Sequence, residues 1–308
     1  MNSSIIAVII LILVLIIRNY LIVKDRLRNG MNELAKIRSM DCTTITSSVC
    51  NDLLLQPGTY PPIYKRPLLN FDYDASMYAM RAIFRFVTSI DTSNNELMNI
   101  DGMSKPTMIY YKNDNQPIAG TWITTDKQYA LVVIRGTRNI EELKSDFRYS
   151  TTGIYMNDSN YKVHSGMYAI YNSIRNDLLN SVQNVQNVFI VGHSLGSAIS
   201  YYFGLELLSN HNVEIVAFAP PRSGDRNFAN VISKNLRISS IINNADFIPS
   251  IPWSFMPEIR KPYTPDEYSH VSPVYIFNNM QNDIGSCHGL FAYYQGINSS
   301  PVLIPQIS

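Results

Sequence analysis

The chain has 308 residues with a formal net charge of +1, and 46% of its residues are hydrophobic while 16% are charged. This composition is sufficient for a large buried core, and it excludes nucleic acid or another polyanion as the expected partner. The five histidines and three cysteines do not follow the spacing of a zinc site, so we expect no metal and no cofactor. No obligate protein partner is indicated.

The N-terminal segment is strongly apolar. Residues 5–17 form an unbroken apolar run, Arg18 and Asn19 interrupt it, and apolar residues continue to Val23. Counted to residue 23, the segment reaches the ~20 residues that a membrane-spanning helix needs. We therefore expect residues 1–23 to form a single-pass membrane anchor. Cleavage of the segment as a signal peptide, which would give a secreted protein, is the alternative.

Residues 24–62 are predicted to form a polar connector between this anchor and a domain that covers residues 63–308. The connector contains Cys42 and Cys50. These cysteines could form a disulfide in an oxidising compartment or remain free thiols, and the sequence leaves both states open.

Within residues 63–308, helical and strand-like patterns alternate. Apolar residues at helical spacing predict helices over residues 75–88, 167–182 and 195–208. Short apolar runs predict strands over residues 108–112, 120–124, 129–134, 188–191, 213–218 and 236–242. This alternation predicts an α/β fold in which helices cover both faces of a largely parallel sheet.

The most specific motif is Gly-His-Ser-Leu-Gly at residues 192–196, which lies between a predicted strand and a predicted helix. A serine in this setting occupies a sharp, strained turn that exposes its hydroxyl above the sheet. The motif therefore predicts that Ser194 is the nucleophile of a serine hydrolase. The side chain of the neighbouring His193 is expected to point away from the site.

A serine nucleophile needs a base that accepts its proton and an acid that orients the base. In this type of fold the acid follows the serine along the chain, and the histidine follows the acid. The order favours Asp246 as the acid and His288 as the base. Asp225 and His270 are the alternatives.

The oxyanion of the reaction needs backbone N–H donors. One donor is expected from Leu195, which directly follows the serine. Residues 135–137 follow the strand predicted at 129–134 and are expected to supply the other, although a plain turn is the alternative at this place.

Seven blocks of the chain resemble blocks of the class 3 lipases, a family of fungal triacylglycerol lipases and related phospholipases. In chain order they are residues 132–137, 163–167, 192–196, 218–225, 243–249, 268–271 and 288–294. The resemblance runs from about residue 75 to residue 294, and the N-terminal segment falls outside it. It implies an α/β-hydrolase fold with a mostly parallel central sheet, flanked by helices, in a single domain.

The resemblance also implies residue roles. The catalytic triad would be Ser194, Asp246 and His288, and Thr137 and Leu195 would form the oxyanion hole. His164 and His270 would be structural, and residues 139–150 would form a rather polar lid. Ala219 departs from the family, which usually has glycine at this place.

The expected activity is hydrolysis of a carboxylic ester bond in a lipid, either an acylglycerol or a phospholipid. Phospholipase A1 and a general carboxylesterase are the enzymatic alternatives. A membrane-tethered binding protein on a decayed hydrolase scaffold is the alternative without activity.

Overall fold

The computed structural model describes residues 47–58, 71–111, 115–136, 154–155, 160–251, 268–281, 284–299 and 304–306. The predicted anchor, Cys42, Thr137 and the predicted lid lie outside the described residues. Within the described ranges, no helix is both long and apolar enough to cross a bilayer.

Helices and strands alternate along most of the chain. The helices are α1 (Ser47–Leu54), α2 (Tyr73–Thr92), α3 (Ser165–Val182), α4 (Leu195–Leu207), α5 (Arg226–Asn235), α6 (Ile284–His288) and α7 (Leu290–Ser299). The strands are β1 (Thr107–Tyr110), β2 (Pro117–Ile123), β3 (Tyr129–Ile134), β4 (Ile154–Tyr155), β5 (Lys162–Val163), β6 (Asn187–His193), β7 (Asn212–Phe218), β8 (Arg237–Asn243), β9 (Val274–Phe277) and β10 (Ile304–Gln306). Short 3-10 turns cover Asn95–Met98 and Ile248–Ser250.

The central sheet has the strand order β1-β2-β3-β6-β7-β8-β9-β10. The five strands from β3 to β9 in this order are parallel, and the outer pairs β1–β2, β2–β3 and β9–β10 are antiparallel. Strands β4 and β5 form a separate antiparallel pair. Because parallel strands end at one edge of the sheet, the loops after β3, β6, β8 and β9 lie on the same side of the molecule.

Helices cover the sheet on both faces, as the sequence predicts. In β3, Val132 packs into one buried cluster with α3, α4 and α5, and its neighbour Val133 packs into a second cluster with α1, α2 and α7. This alternation follows from the two-residue period of a strand. A strand buried on both faces reads as a continuous apolar run, which explains why β3 and β6 are recognisable in the sequence.

The predicted helices and strands are confirmed, with small changes at their ends. The strand predicted at residues 129–134 has the bounds of β3, and the helix predicted at 75–88 is longer as α2. Asp72 explains the earlier start of α2, because its carboxylate caps the helix by accepting a hydrogen bond from the backbone N–H of Ala75.

Helix α1 lies inside the segment predicted to be a polar connector. Leu53 is fully buried and Cys50 is 5% exposed, and both pack in the cluster that contains α2. The packed part of the protein therefore begins at least as early as α1. Cys50 is disulfide-bonded, whereas Cys287 is buried and its Sγ accepts a hydrogen bond from the backbone N–H of Gln281.

Candidate active site

Ser194 lies in the sharp turn between β6 and α4. Its backbone has φ 56° and ψ −125°, a left-handed φ that non-glycine residues rarely adopt. Its backbone N–H donates a hydrogen bond to the carbonyl oxygen of Phe218, at the end of the adjacent strand β7. The Ser194 side chain makes no capping hydrogen bond with α4. The turn is thus fixed through its backbone, and the hydroxyl is left for other partners.

Two glycines make this turn sterically feasible. A Cβ atom at Gly192 would lie 2.6 Å from the backbone of Gly196 and Ser197, and a Cβ at Gly196 would lie 2.1 Å from the carbonyl oxygen of Ile134. Neither distance is compatible with a side chain, so the helix can approach β3 and β6 this closely only with glycine at both positions. The structure thereby explains the spacing of the motif.

Ala219 follows β7 beside this turn and has φ +51° in a fully buried position. A left-handed conformation costs an alanine about 1–2 kcal/mol relative to glycine. Replacement by glycine would relieve this strain, but the greater conformational freedom of glycine in the unfolded chain offsets part of the gain in stability. We expect Ala219→Gly to raise the free energy of unfolding by about 0.5–1 kcal/mol in urea denaturation.

A matched control is Ala217→Gly, at a fully buried position within β7. This change should lower the free energy of unfolding by about 1 kcal/mol, because glycine loses more conformational freedom than alanine when it folds into a strand. If both variants lost stability equally, strain at Ala219 would not be a feature of the fold.

The loop after β3 lies directly against the serine. A Cβ atom at Gly136 would come within 2.9 Å of the Ser194 Cβ atom. The buried Arg135 fixes the loop, since its Nε donates to the carbonyl oxygen of Pro117 at 2.7 Å and its guanidinium also donates to that of Gly136. Thr137, the next residue, lies outside the described residues.

Asp246 and His288 form a buried, charge-assisted hydrogen bond. His288 Nδ1 lies 2.7 Å from Asp246 Oδ2, and the two residues are 8% and 5% exposed. A carboxylate accepts hydrogen bonds, so Nδ1 carries the proton and Nε2 is the ring nitrogen that can accept one. Asp246 follows β8, at the edge of the sheet where Ser194 follows β6, and its hydrogen bond to His288 places the end of α6 at the same edge. The structure therefore brings the predicted acid and base together.

Tyr293 and Asn243 hold this pair, and sequence reasoning assigned neither a role. The Tyr293 hydroxyl donates to Asp246 Oδ2 at 2.8 Å and accepts a hydrogen bond from the backbone N–H of Asn243. The Asn243 amide donates to the carbonyl oxygen of Cys287, the residue before the base, and accepts from the N–H of Ala245, the residue before the acid. Both residues occur in the recognised blocks, which was the available signal.

Asp225 and His270, the alternative acid and the alternative base, have other surroundings. Asp225 is the N-cap of α5, where its carboxylate accepts hydrogen bonds from the backbone N–H groups of Phe228 and Lys162. Burial and the charge of Arg222 lower the pKa of His270 to about 3.

His193 differs from its prediction. Its side chain was expected to point away from the site, but its ring stacks on that of His288 with centroids 4.7 Å apart. Its Nε2 also lies 2.9 Å from the carbonyl oxygen of His288. The prediction was wrong because His193 ends a strand, and the two-residue period places its side chain on the face of Val191, where α7 packs.

His164 is a buried histidine with a structural contact. Its Nδ1 accepts a hydrogen bond from the backbone N–H of Met167 and thereby caps α3. It is 1% exposed, and burial lowers its pKa to about 4. Between pH 6.5 and 4 the unfolded chain binds a proton at His164 that the folded protein does not bind. Stability from this residue is therefore complete above pH 6.5 and is lost as the pH falls through 4.

We expect His164→Asn to weaken the acid sensitivity of the protein, because asparagine keeps a capping oxygen but does not titrate. Between pH 6.5 and 4, the free energy of unfolding should fall less steeply in the variant, by about 1.4 kcal/mol per pH unit. Urea denaturation at several pH values measures the slope. An unchanged slope would show that His164 does not drive the acid sensitivity.

Comparison with known proteins relates the part of the chain that contains Ser194 and Asp246 to one family. Residues 131–256 match the family model described as Lipase (class 3). A lipase of Rhizopus niveus is 30% identical over 153 residues, which are 43% of this chain and 37% of that lipase. A secreted mono- and diacylglycerol lipase of Malassezia globosa is 26% identical over 171 residues, which are 49% of this chain and 52% of the relative.

The chain therefore spans 37% of the length of the Rhizopus lipase and 52% of that of the Malassezia lipase. Among solved structures, a deletion mutant of the Rhizomucor miehei lipase in complex with its propeptide superimposes with a TM-score of 0.51 at 19% identity, covering 76% of this chain and 68% of that one. This likeness concerns the fold, which is the α/β-hydrolase fold that the sequence predicts. Residues 131–256, which are less than half of the chain, are therefore similar to the class 3 lipases.

Proposed function

We propose that this protein is a serine hydrolase that cleaves carboxylic ester bonds of lipids through Ser194, Asp246 and His288. The observation that supports the proposal most directly is the 2.7 Å hydrogen bond between His288 and Asp246. It lies at the sheet edge where Ser194 occupies a strained turn. A serine nucleophile, an imidazole base and an orienting carboxylate are the three groups that acyl transfer needs.

In the first half of the reaction, the Ser194 hydroxyl attacks the ester carbonyl while His288 Nε2 takes its proton. Asp246 keeps the imidazole in the tautomer with a proton on Nδ1 and stabilises the imidazolium that forms. His288 then gives its proton to the leaving alcohol, and the acyl group remains on Ser194. A water molecule, activated by His288, releases the acid in the second half.

The oxyanion that forms in each half needs N–H donors. The first N–H groups of a helix have no partner within the helix, and that of Leu195 opens α4 directly after the nucleophile. We assign the second donor to Thr137. The support for this assignment is the position of the preceding residue, since a Cβ at Gly136 would touch Ser194.

The proposed substrate class is an acylglycerol or a phospholipid. Support comes from the family and from the names of the relatives, which are a lipase and a mono- and diacylglycerol lipase. The apolar run at residues 5–17 would hold the domain at a bilayer, where such esters occur. We propose that residues 1–23 are an uncleaved anchor and residues 63–308 the hydrolase domain.

The location is tested on the expressed full chain by alkaline carbonate extraction of membranes and by sequencing the mature N-terminus. An anchor predicts a chain that stays in the extracted membrane and keeps its first residues. A chain that starts beyond residue 23 and appears in the medium would contradict the anchor and favour a secreted protein.

The activity is tested on the purified full chain with triacylglycerol, diacylglycerol, phosphatidylcholine and a short p-nitrophenyl ester. Labelling by a fluorophosphonate probe reports independently on a reactive serine. Fatty acid release from any of the three lipids, together with labelling, is the expected result and identifies the substrate class. Release from the short ester alone would demote the protein to a general carboxylesterase. A folded protein that neither hydrolyses nor reacts with the probe would favour a binding scaffold.

A further inference from the structure

His193 contacts several parts of the candidate site at once. Its ring lies 4.7 Å from that of His288, with an angle of 35° between the planes. On α7, the Tyr293 ring meets it edge-on at 6.2 Å. A Cβ at Gly136 would lie 3.2 Å from His193 Nδ1, so the loop after β3 also packs against this side chain. His193 therefore lies between the base, the acid's phenol partner and the oxyanion loop.

A hydrogen bond also joins the His193 ring to the backbone of His288. His193 Nε2 lies 2.9 Å from the carbonyl oxygen of His288, and because a carbonyl only accepts, Nε2–H is the donor. The bond fixes the backbone of the base at the point where α6 ends. The hydrogen bond and the stacked ring together restrict both the backbone and the imidazole of His288.

We propose that His193 is a positioning residue that holds the base, His288, in the orientation in which its Nε2 can take the proton of Ser194. This inference rests on the proposed function, since it concerns the geometry of the same reaction. The histidine of the Gly-His-Ser-Leu-Gly motif would then orient the catalytic base as well as pack beside the nucleophile.

The charge state of His193 suits this role. Burial, and then the charge of His288, lower the pKa of His193 to about 3, so the ring stays neutral while His288 cycles through its cation. Among the described residues, the titratable groups around His288 include Asp246, which accepts from its Nδ1, Tyr293, which donates to the same carboxylate, and the buried thiol of the adjacent Cys287. Burial and the charge of Asp246 raise the pKa of Tyr293 well above 10, so it too remains a neutral donor. None of these groups therefore places a second positive charge beside the His288 imidazolium.

Three variants separate the two contacts. His193→Ala removes both, His193→Phe keeps a ring without the donor, and His193→Gln keeps an N–H donor at about the reach of Nε2 without the ring. A misplaced base lowers turnover by about 100-fold, so we expect this loss in kcat for His193→Ala, with KM within about twofold of the wild type. The phenylalanine and glutamine variants should each recover about tenfold of this loss.

His164→Asn is the matched control, because it alters another buried histidine that caps a helix and whose ring contacts Tyr268. All proteins are compared by kcat, KM, the rate of fluorophosphonate labelling and thermal unfolding. The inference predicts slower labelling in the His193 variants, since the probe also needs the base, and a wild-type labelling rate in His164→Asn.

The outcomes distinguish this inference from the proposed function. An inert wild-type protein would contradict the proposed function itself. An active wild type, with His193→Ala at wild-type kcat, would overturn only the role of His193. The role of His193 would also be overturned if His193→Ala and His164→Asn lost equal stability and His193→Ala lost no more kcat than His164→Asn. The loss of kcat would then follow from reduced stability and not from a misplaced base. Partial rescue by phenylalanine and glutamine, with KM unchanged, supports it.

Discussion

Ser194→Ala should abolish ester hydrolysis while leaving the protein folded. Without the hydroxyl no acyl-enzyme forms, and loss of a triad nucleophile lowers kcat by about 10⁴-fold to 10⁶-fold. The side chain makes no capping hydrogen bond, and alanine keeps the Cβ atom at the same strained backbone. The free energy of unfolding should therefore change by no more than about 0.5 kcal/mol. Lipid hydrolysis, probe labelling and urea denaturation measure the three effects.

Ser197→Ala provides the matched control on the same turn. The Ser197 hydroxyl is fully buried and donates to the carbonyl oxygen of Phe218, which also accepts from the N–H of Ser194. Its loss should cost about 1 kcal/mol of stability and leave most of the activity. Wild-type hydrolysis by a folded Ser194→Ala protein would remove Ser194 from the mechanism. Equal inactivation of both variants would point to damage of the turn.

The nucleophile turn could be predicted because its determinants are local. Gly192 and Gly196 are required by contacts within a few residues of the turn and with the adjacent strand β3, and the flanking strand and helix have their own patterns. The order of the strands, by contrast, is a long-range property. It became predictable here only through the resemblance of several blocks, which together imply the fold.

The environment of His193 could not be predicted for the same reason. The two-residue period of β6 places its side chain on the face of Val191, and this information is in the sequence. The sequence does not show which element covers that face. The element is α7, about a hundred residues further along the chain. The missed residue Tyr293 comes from the same helix, so both omissions have one cause.

Helix α1 shows a different limit. Its apolar residues Val49, Cys50, Leu53 and Leu54 have helical spacing, but the helix is only 8 residues long and lies in a polar segment. Helices this short are marginal in isolation, and tertiary packing supplies most of their stability. Burial of Leu53 against the cluster around α2 stabilises α1, and a local pattern does not reveal such packing.

Asp246→Asn should lower kcat by about 10⁴-fold, because the base would lose both its charge partner and its tautomer. All three groups around the Asp246 carboxylate are donors: His288 Nδ1–H, the Tyr293 hydroxyl and the backbone N–H of Ile248. An asparagine has only one acceptor oxygen, so its NH₂ group must face at least one donor. If it faces the imidazole, His288 carries its proton on Nε2 and cannot take that of Ser194.

Asp225→Asn tests the alternative acid with the same chemical change. Asparagine is an effective N-cap, so α5 should keep its cap and lose only the second of the two backbone contacts of Asp225. We expect near wild-type kcat and a loss of about 1 kcal/mol in the free energy of unfolding. A larger loss of kcat in Asp225→Asn than in Asp246→Asn, with both proteins folded, would reverse the assignment of the acid. The predicted contrast would separate a carboxylate that orients a base from one that caps a helix.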